Sequence, residues 1–376
     1  MVRVLIDATA VPANRGGVGR YVDELVPALT KLGVRTQVAC RPPDAEFYAA
    51  RSALDPVISG RLADHPAARL VWEQVELPRL VNRVRPDVLH SPHYTEPILS
   101  RVPGVVTLHD ATFFTDEALH SRVKGPFFRS ATKLALRRAE CCIVPSQATA
   151  DELVRVANAD PERLIVAHHG VDTDTFRPPS AQQRADAAAA VGLAPEQPYV
   201  AFLGTLEPRK NVPALIAGWS AAVASRPNPP ALVLAGGAGW DDTIEAAARD
   251  VDPRLRVLRP GYLPLEHLAG LLGGAEVVCY PSLFEGFGLP VLEAMACGGV
   301  VLTSRRGPLP EVGGDAVQYC DVDAPSIAAE LTALLDNPSR CAELRAAALR
   351  RAAEFTWSAC AERHVVAYER ASVTTK

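Results

Sequence analysis

The chain is 376 residues long, 48% hydrophobic and 22% charged, with a formal net charge of −4 at pH 7. That balance suits a folded chain long enough for two good cores, and it argues against disorder and against a nucleic-acid partner. Eight cysteines without a C-x-x-C pair suit buried reduced thiols; no apolar run could span a bilayer and the first residues lack a signal-peptide pattern, so a cytoplasmic location is expected.

Val2 to Ile6 is a short apolar run, followed by turn-rich residues and by Gly16-Gly17-Val-Gly19. In the helical pattern that begins there, Val22, Leu25, Val26, Leu29 and Leu32 recur at helical spacing. Gly33 is a stop signal, and Pro27 is expected to kink the helix. Strand patterns follow at Arg35–Cys40, Val88–His90, Val105–Leu108, Cys141–Val144 and Leu164–Val166. Helical patterns lie at Trp72–Arg83, 123–138 and Gln147–Ala157. Regularity breaks at Val171–Pro179, which reads as a hinge, and a polar, alanine-rich segment runs on to Val191. Strands then return at Tyr199–Leu203, Ala231–Leu234, Leu255–Leu258, Glu276–Tyr280 and Val300–Leu302. Helices at Val212–Ala224, Thr243–Arg249, Leu265–Leu272, Pro290–Cys297 and Ile327–Leu335 intervene, and Ser339–Ala371 reads as helical. Alternation of this kind predicts an α/β chain of two doubly wound parallel sheets.

The most informative segment is Glu285-Gly-Phe-Gly-Leu-Pro-Val-Leu-Glu293. Two carboxylates eight positions apart bracket a glycine turn, between a buried strand and a helix expected to open at Pro290. Gly286 and Gly288 allow backbone amides to converge, and a helix N-terminus favours a diphosphate. In that setting Glu285 can accept bonds from sugar hydroxyls. The amides of Phe287, Gly288 and Leu289 can bind sugar and phosphate. Glu293, expected in the first helical turn, can reach a ribose. Arg209 and Lys210 follow another strand, where two cations can neutralise a departing nucleoside diphosphate. His109 ends the strand Val105–Leu108, at the carboxyl edge where parallel sheets bind ligands, and Asp110 is expected to orient local backbone. His90 and His93 end the preceding strand and could line an acceptor; Pro92 between them disfavours a metal pair. Asp172-Thr-Asp174 and Asp321-Val-Asp323 fall too late in the chain for a metal-diphosphate site, so no metal and no cofactor are expected. The glycine loop lacks the G-x-G-x-x-G spacing of a dinucleotide site. Residues 120–138 mix basic and aromatic side chains, either to touch an anionic membrane or, the favoured reading, to bury their aromatics.

With Gly16-Gly-Val-Gly-Arg20, Val106-Thr-Leu-His-Asp110 and Gly204-Thr-Leu-Glu-Pro-Arg-Lys-Asn211 in order before it, the Glu-x7-Glu segment resembles the donor signature of retaining Leloir glycosyltransferases of family 4. The resemblance covers nearly the whole chain and implies the GT-B fold, two Rossmann-like domains with a cleft between them. It implies an acceptor-side domain at 1–170, a nucleotide-sugar domain at 171–355, and a terminal helix at 356–376 that crosses back. It places Gly16 and Gly17 towards the donor diphosphate, His109 on the transferred sugar, and Tyr262 and Leu263 near the base. Some relatives carry an additional arginine where this chain has Thr205. The activity implied is retaining transfer of a hexosyl group from a nucleotide-sugar to a glycan, lipid-linked or small-molecule hydroxyl, with GDP-mannose the leading donor. UDP-glucose and UDP-N-acetylglucosamine are the alternatives. An epimerase of the same fold or a non-catalytic sugar-nucleotide-binding protein stand behind them.

Overall fold

The computed structural model describes residues 2–11, 15–60, 63, 65–115 and 124–373. Residues 12–14 of the first glycine loop and 120–123 of the basic segment lie outside them. The chain groups into two compact units, Met1–Gly170 with Thr356–Lys376, and Val171–Phe355.

In the first unit the described strands are β1 (Arg3–Asp7), β2 (Arg35–Cys40), β3 (Val57–Ile58), β4 (Val88–Ser91), β5 (Gly104–Thr107), β6 (Cys141–Val144) and β7 (Leu164–Val166). They form one parallel sheet in the order β3-β2-β1-β4-β5-β6-β7. Chain order reverses between β1 and β4, the switch point at which open α/β sheets hold ligands beyond their carboxyl ends. The longer helices are α1 (Gly17–Lys31), α3 (Pro66–Val84), α5 (Lys124–Arg138) and α6 (Gln147–Ala157), with short α2 (Ala45–Ala49) and α4 (Thr112–Thr115) between them. Helix α1 runs through Pro27 to Lys31, and Gly33, at φ +80°, ends the turn behind it.

The second unit holds β8 (Tyr199–Leu203), β9 (Ala231–Ala235), β10 (Val257–Gly261), β11 (Val277–Tyr280), β12 (Val301–Ser304) and β13 (Gln318–Cys320). Their parallel order, β10-β9-β8-β11-β12-β13, reverses between β8 and β11. Helices α7 (Ala181–Ala190), α8 (Val212–Val223), α9 (Thr243–Arg249), α10 (Leu265–Gly274), α11 (Leu289–Ala296), α12 (Leu309–Gly313), α13 (Ala324–Leu335) and α14 (Pro338–Ala352) cover it. Strands β8, β9, β11 and β12 are buried along their whole length, which is why they read as unbroken apolar runs rather than alternating ones. Strand β10 differs from expectation: it runs past Leu258, through Arg259 and Pro260 to Gly261.

The last helix, α15 (Trp357–Val373), belongs to the first unit. A buried chain of hydrogen bonds ties it there, and its directions can be worked out. His364 Nδ1 lies 2.7 Å from the Cys360 carbonyl, so it is the protonated nitrogen. Burial lowers the pKa of His364 to about 4 and keeps the ring neutral, so Nε2 accepts from Tyr21 Oη at 2.7 Å. Tyr21 then accepts from Thr107 Oγ1 at 2.8 Å, and Thr107 accepts from His90 Nε2 at 2.9 Å. His90 Nδ1 in turn accepts from Tyr368 Oη at 2.8 Å. Each donor has one acceptor. His90, expected to line an acceptor, is instead fully buried in this network. Tyr368→Phe would leave His90 Nδ1 buried without its donor, and about 1–3 kcal/mol of stability should be lost in urea unfolding.

Candidate functional site

After β8 the chain turns at Gly204 and makes a single 3-10 turn, Pro208–Lys210, closed by Asn211 at φ +60°. This turn is pinned to the loop that follows β11. Leu283 N donates to the Arg209 carbonyl at 2.8 Å, and Asn211 Nδ2 donates to the Pro281 carbonyl at 3.2 Å and the Val322 carbonyl at 2.7 Å. The two segments are the ones that leave the switch point of the sheet.

Their side chains meet there. Glu285 Oε1 accepts from Lys210 Nζ at 2.6 Å and from Ser282 Oγ at 2.7 Å, while Oε2 accepts from Arg209 at 2.8 Å. Arg209 also bonds Glu207 at 2.7 Å, and Lys210 Nζ bonds the Tyr280 hydroxyl. The side chains of Lys210 and Glu285 are 6% and 7% exposed, against 25% for Arg209. Burial acts to raise the Glu285 carboxyl, but Arg209 and Lys210 overcome it and hold the group at about 2. Lys210 goes the other way: burial and the neighbouring Arg209 outweigh the pull of Glu285 and lower it to about 8. One carboxylate shared by two cations satisfies itself and leaves the lysine short of negative charge. An arriving polyanion would supply that charge.

Helix α11 begins at Leu289, so Pro290 is its second residue rather than its first. Gly288 precedes it at φ +100°, and a Cβ there would lie 2.8 Å from Leu309 Cδ2. Gly288→Ala should therefore cost about 1–2 kcal/mol in denaturant unfolding, the penalty of a left-handed L-residue, before any effect on binding. Glu293 lies beyond the first turn and is 2% exposed, contrary to the expected place in the first turn. The Phe287 side chain is buried, with its ring 5.9 Å from that of Phe355, and Leu289 packs on the core. What Phe287 and Leu289 can offer a ligand is backbone. Leu263 is likewise a core residue at 6% exposure, whereas Tyr262 is 56% exposed just after β10.

The remaining expected residues lie in the first unit. Gly16 caps α1 and Gly17 is its first residue, both exposed at the helix N-terminus beyond β1. His109 stands past the end of β5, which stops at Thr107, and its Nε2 donates to the Pro92 carbonyl at 2.7 Å. Burial lowers its pKa, so the ring is neutral with Nδ1 as the acceptor. Asp110 Oδ1 accepts from Thr112 N and Oγ1 at 3.0 and 2.7 Å, the backbone role expected of it. Phe128 stacks on Phe113 at 4.8 Å, while its neighbour Phe127 is 40% exposed. Asp172 Oδ1 accepts from Asp174 N and Asp323 caps α13, so one carboxylate of each pair serves local backbone. No group of three or more metal-binding side chains occurs among the described residues, nor is any described helix long and apolar enough to cross a membrane. The reading from sequence missed Ser282, Tyr280 and Glu207. Ser282 and Tyr280 stand three and five positions before Glu285 on the same strand exit, a spacing that could have flagged them.

Two family models account for most of the chain: Glycosyltransferase Family 4 matches residues 15–175 and Glycosyl transferases group 1 matches residues 183–351. The O-antigen chain mannosyltransferase B of Escherichia coli is 30% identical over 285 residues, 75% of this chain and 74% of that one. A D-inositol 3-phosphate glycosyltransferase of Mycolicibacterium smegmatis is 29% identical over 394 residues, 95% and 87% of the two chains. Among solved structures, sucrose-phosphate synthase from Thermosynechococcus elongatus superposes with a TM-score of 0.79 at 22% identity, covering 98% of each chain. Anabaena Alr3699/HepE in complex with UDP-glucose gives 0.74 at 18% identity, covering 100% of this chain and 99% of that one. The fold is GT-B, and the chain belongs to glycosyltransferase family 4: it is a glycosyltransferase.

Proposed function

We propose that the protein transfers a hexosyl group from a nucleotide-sugar to an acceptor hydroxyl with retention at the anomeric carbon, the first-choice donor being GDP-mannose. The convergence of Arg209, Lys210 and Glu285 at the switch point of the second sheet carries this reading. An enclosed lysine and a partly exposed arginine on one carboxylate suit a diphosphate whose charge grows as the glycosidic bond breaks. The Gly288 and Leu289 amides would meet phosphate, Glu293 the ribose and Tyr262 the base, while His109 Nδ1 would accept from a hydroxyl of the transferred sugar. The leaving diphosphate would take the acceptor's proton, so no metal and no covalent enzyme intermediate are needed. Mannose is favoured by the likeness to the O-antigen chain mannosyltransferase, and UDP-glucose, the ligand of the Anabaena protein, is the alternative. The donor would sit on the second unit and the acceptor on the first, with the reaction on the cytoplasmic side.

A thermal-shift panel of GDP-, UDP- and dTDP-sugars tests the donor, because a ligand of the native state alone raises its melting point. GDP-mannose should give the largest shift; a panel without any shift would end the proposal. Anomeric proton NMR of the product then reads retention, and full activity in chelator reads independence from metal.

The Lys210 pKa adds a pH signature. Nucleoside diphosphate affinity should hold from pH 6 to about 8 and weaken as the ammonium loses its proton, by about tenfold at pH 9 in titration calorimetry. A flat profile would show that Lys210 does not face the phosphates.

A further inference from the structure

Beyond β9 the chain reads Gly236-Gly-Ala-Gly-Trp240, and this loop is laid directly on the exit of β8. Gly236 N donates to the Gly261 carbonyl at 2.8 Å, and Leu206 N donates to the Gly237 carbonyl at 3.0 Å. Trp240 N then donates back to the Leu206 carbonyl at 3.2 Å. A Cβ on Gly236 would collide with the Gly204 carbonyl and one on Gly239 with the Leu206 carbonyl. Both glycines stand at positive φ, +136° and +63°, and only glycine lets the two backbones touch in this way. The backbone of Trp240 is thereby fixed against Leu206, three residues before Arg209.

The Trp240 side chain is nonetheless 58% exposed, and among the described residues its indole N–H has no acceptor and its ring no aromatic neighbour. Tyr262, 56% exposed, directly follows Gly261, which pairs with Ala235 at the end of β9. Among the described residues of the second unit these two are the exposed aromatic side chains. Both stand at the carboxyl ends of adjacent strands, the edge where parallel sheets hold ligands. A tryptophan kept in water forgoes a large apolar burial, which a flat ligand would restore. In the order β10-β9-β8-β11, the two exits lie about 5 and 10 Å to one side of β8. On the other flank, the exit of β12 offers exposed Arg305 and Arg306 in place of a ring.

We propose that Trp240 is a stacking platform for the nucleobase of the donor, set beside Tyr262 on the flank of the diphosphate clamp away from β12. This rests on the nucleotide-sugar reading of the same site. With phosphates on Arg209 and Lys210, a nucleoside extended over β9 and β10 meets both rings. Every base has a π face, so Trp240 adds affinity without choosing between purine and pyrimidine.

Fluorescence and calorimetric titrations of the full chain with GDP and UDP test the platform. Trp240 is the most exposed of the four tryptophans, Trp72 and Trp219 being buried and Trp357 half-buried, so a base stacked on it should quench the exposed part of the emission. Each nucleotide that binds should quench with the dissociation constant found by calorimetry. Trp240→Ala should weaken binding by about ten- to a hundredfold, by the same factor for each nucleotide, while Trp240→Phe keeps a stacking ring and most of the affinity. Inorganic diphosphate, which has no ring, should bind the wild type and Trp240→Ala equally. Nucleotide binding without quenching, affinity that survives Trp240→Ala, or an equal loss for inorganic diphosphate would overturn the platform and leave the donor reading standing. Absence of any nucleotide binding would end both.

Discussion

Lys210→Ala is expected to slow transfer by about a hundred- to a thousandfold while the protein stays folded. The lysine is nearly enclosed, and its Nζ touches Glu285 and Tyr280. Removing one member of a buried ion pair costs about 3–5 kcal/mol when the other is stranded. Glu285 would not be stranded, because Arg209 and Ser282 still bond it. The stability loss should therefore sit near the low end of that range, inside a typical stability of about 5–15 kcal/mol. Steady-state kinetics beside a denaturation curve separates the effects: a rate loss without unfolding places the charge in the reaction. Wild-type rates in the variant would remove Lys210 from it.

Glu285→Gln is the second large effect, and its signature lies in pH. In the wild type the carboxylate is held at about 2 and remains charged throughout the working range. Without it, burial and Arg209 act on Lys210 against Glu207 alone, and the lysine pKa should fall below its present value of about 8. Near pH 7.5 the variant should therefore lose about a hundredfold in rate, of which part returns at pH 6 as Lys210 is reprotonated. A carboxylate that only held sugar hydroxyls would give a loss independent of pH. Stability carries a matching sign. A folded pKa depressed below the unfolded 4.5 stabilises the native state above about pH 4.5, and that contribution is lost as pH falls towards 2. The variant's melting temperature should be correspondingly less sensitive to acid in that window.

The strands at the centre of each sheet were the most legible part of the chain, since burial on both faces writes them as apolar runs such as Tyr199–Leu203 and Cys141–Val144. Edge strands β3 and β13 escaped notice because two or three half-covered residues make no pattern. Helix α7 was passed over as a polar segment, although Ser180 and Gln183 form a capping box that stands openly in the sequence. At the site, the spacing of Glu285 and Glu293 and the pair Arg209-Lys210 pointed to one ligand, and the fold brings Glu285, Arg209 and Lys210 into contact. What the residues alone did not reveal is the direction each side chain takes. Phe287 and Leu263 turn into the core and Glu293 is nearly enclosed, because a residue's place in a motif sets its backbone while packing sets its side chain.

Because α15 completes the first unit while residues 171–355 form the other, the order of synthesis and the order of completion differ. A ribosome emits Tyr21, His90 and Thr107 long before their partners His364 and Tyr368. The second unit, continuous in sequence, can finish folding while the first still lacks its closing helix, the reverse of the usual N-terminal-first sequence. A nascent chain stalled short of residue 356 would therefore expose apolar surface on its earliest-made half, and chaperones should be drawn to that half.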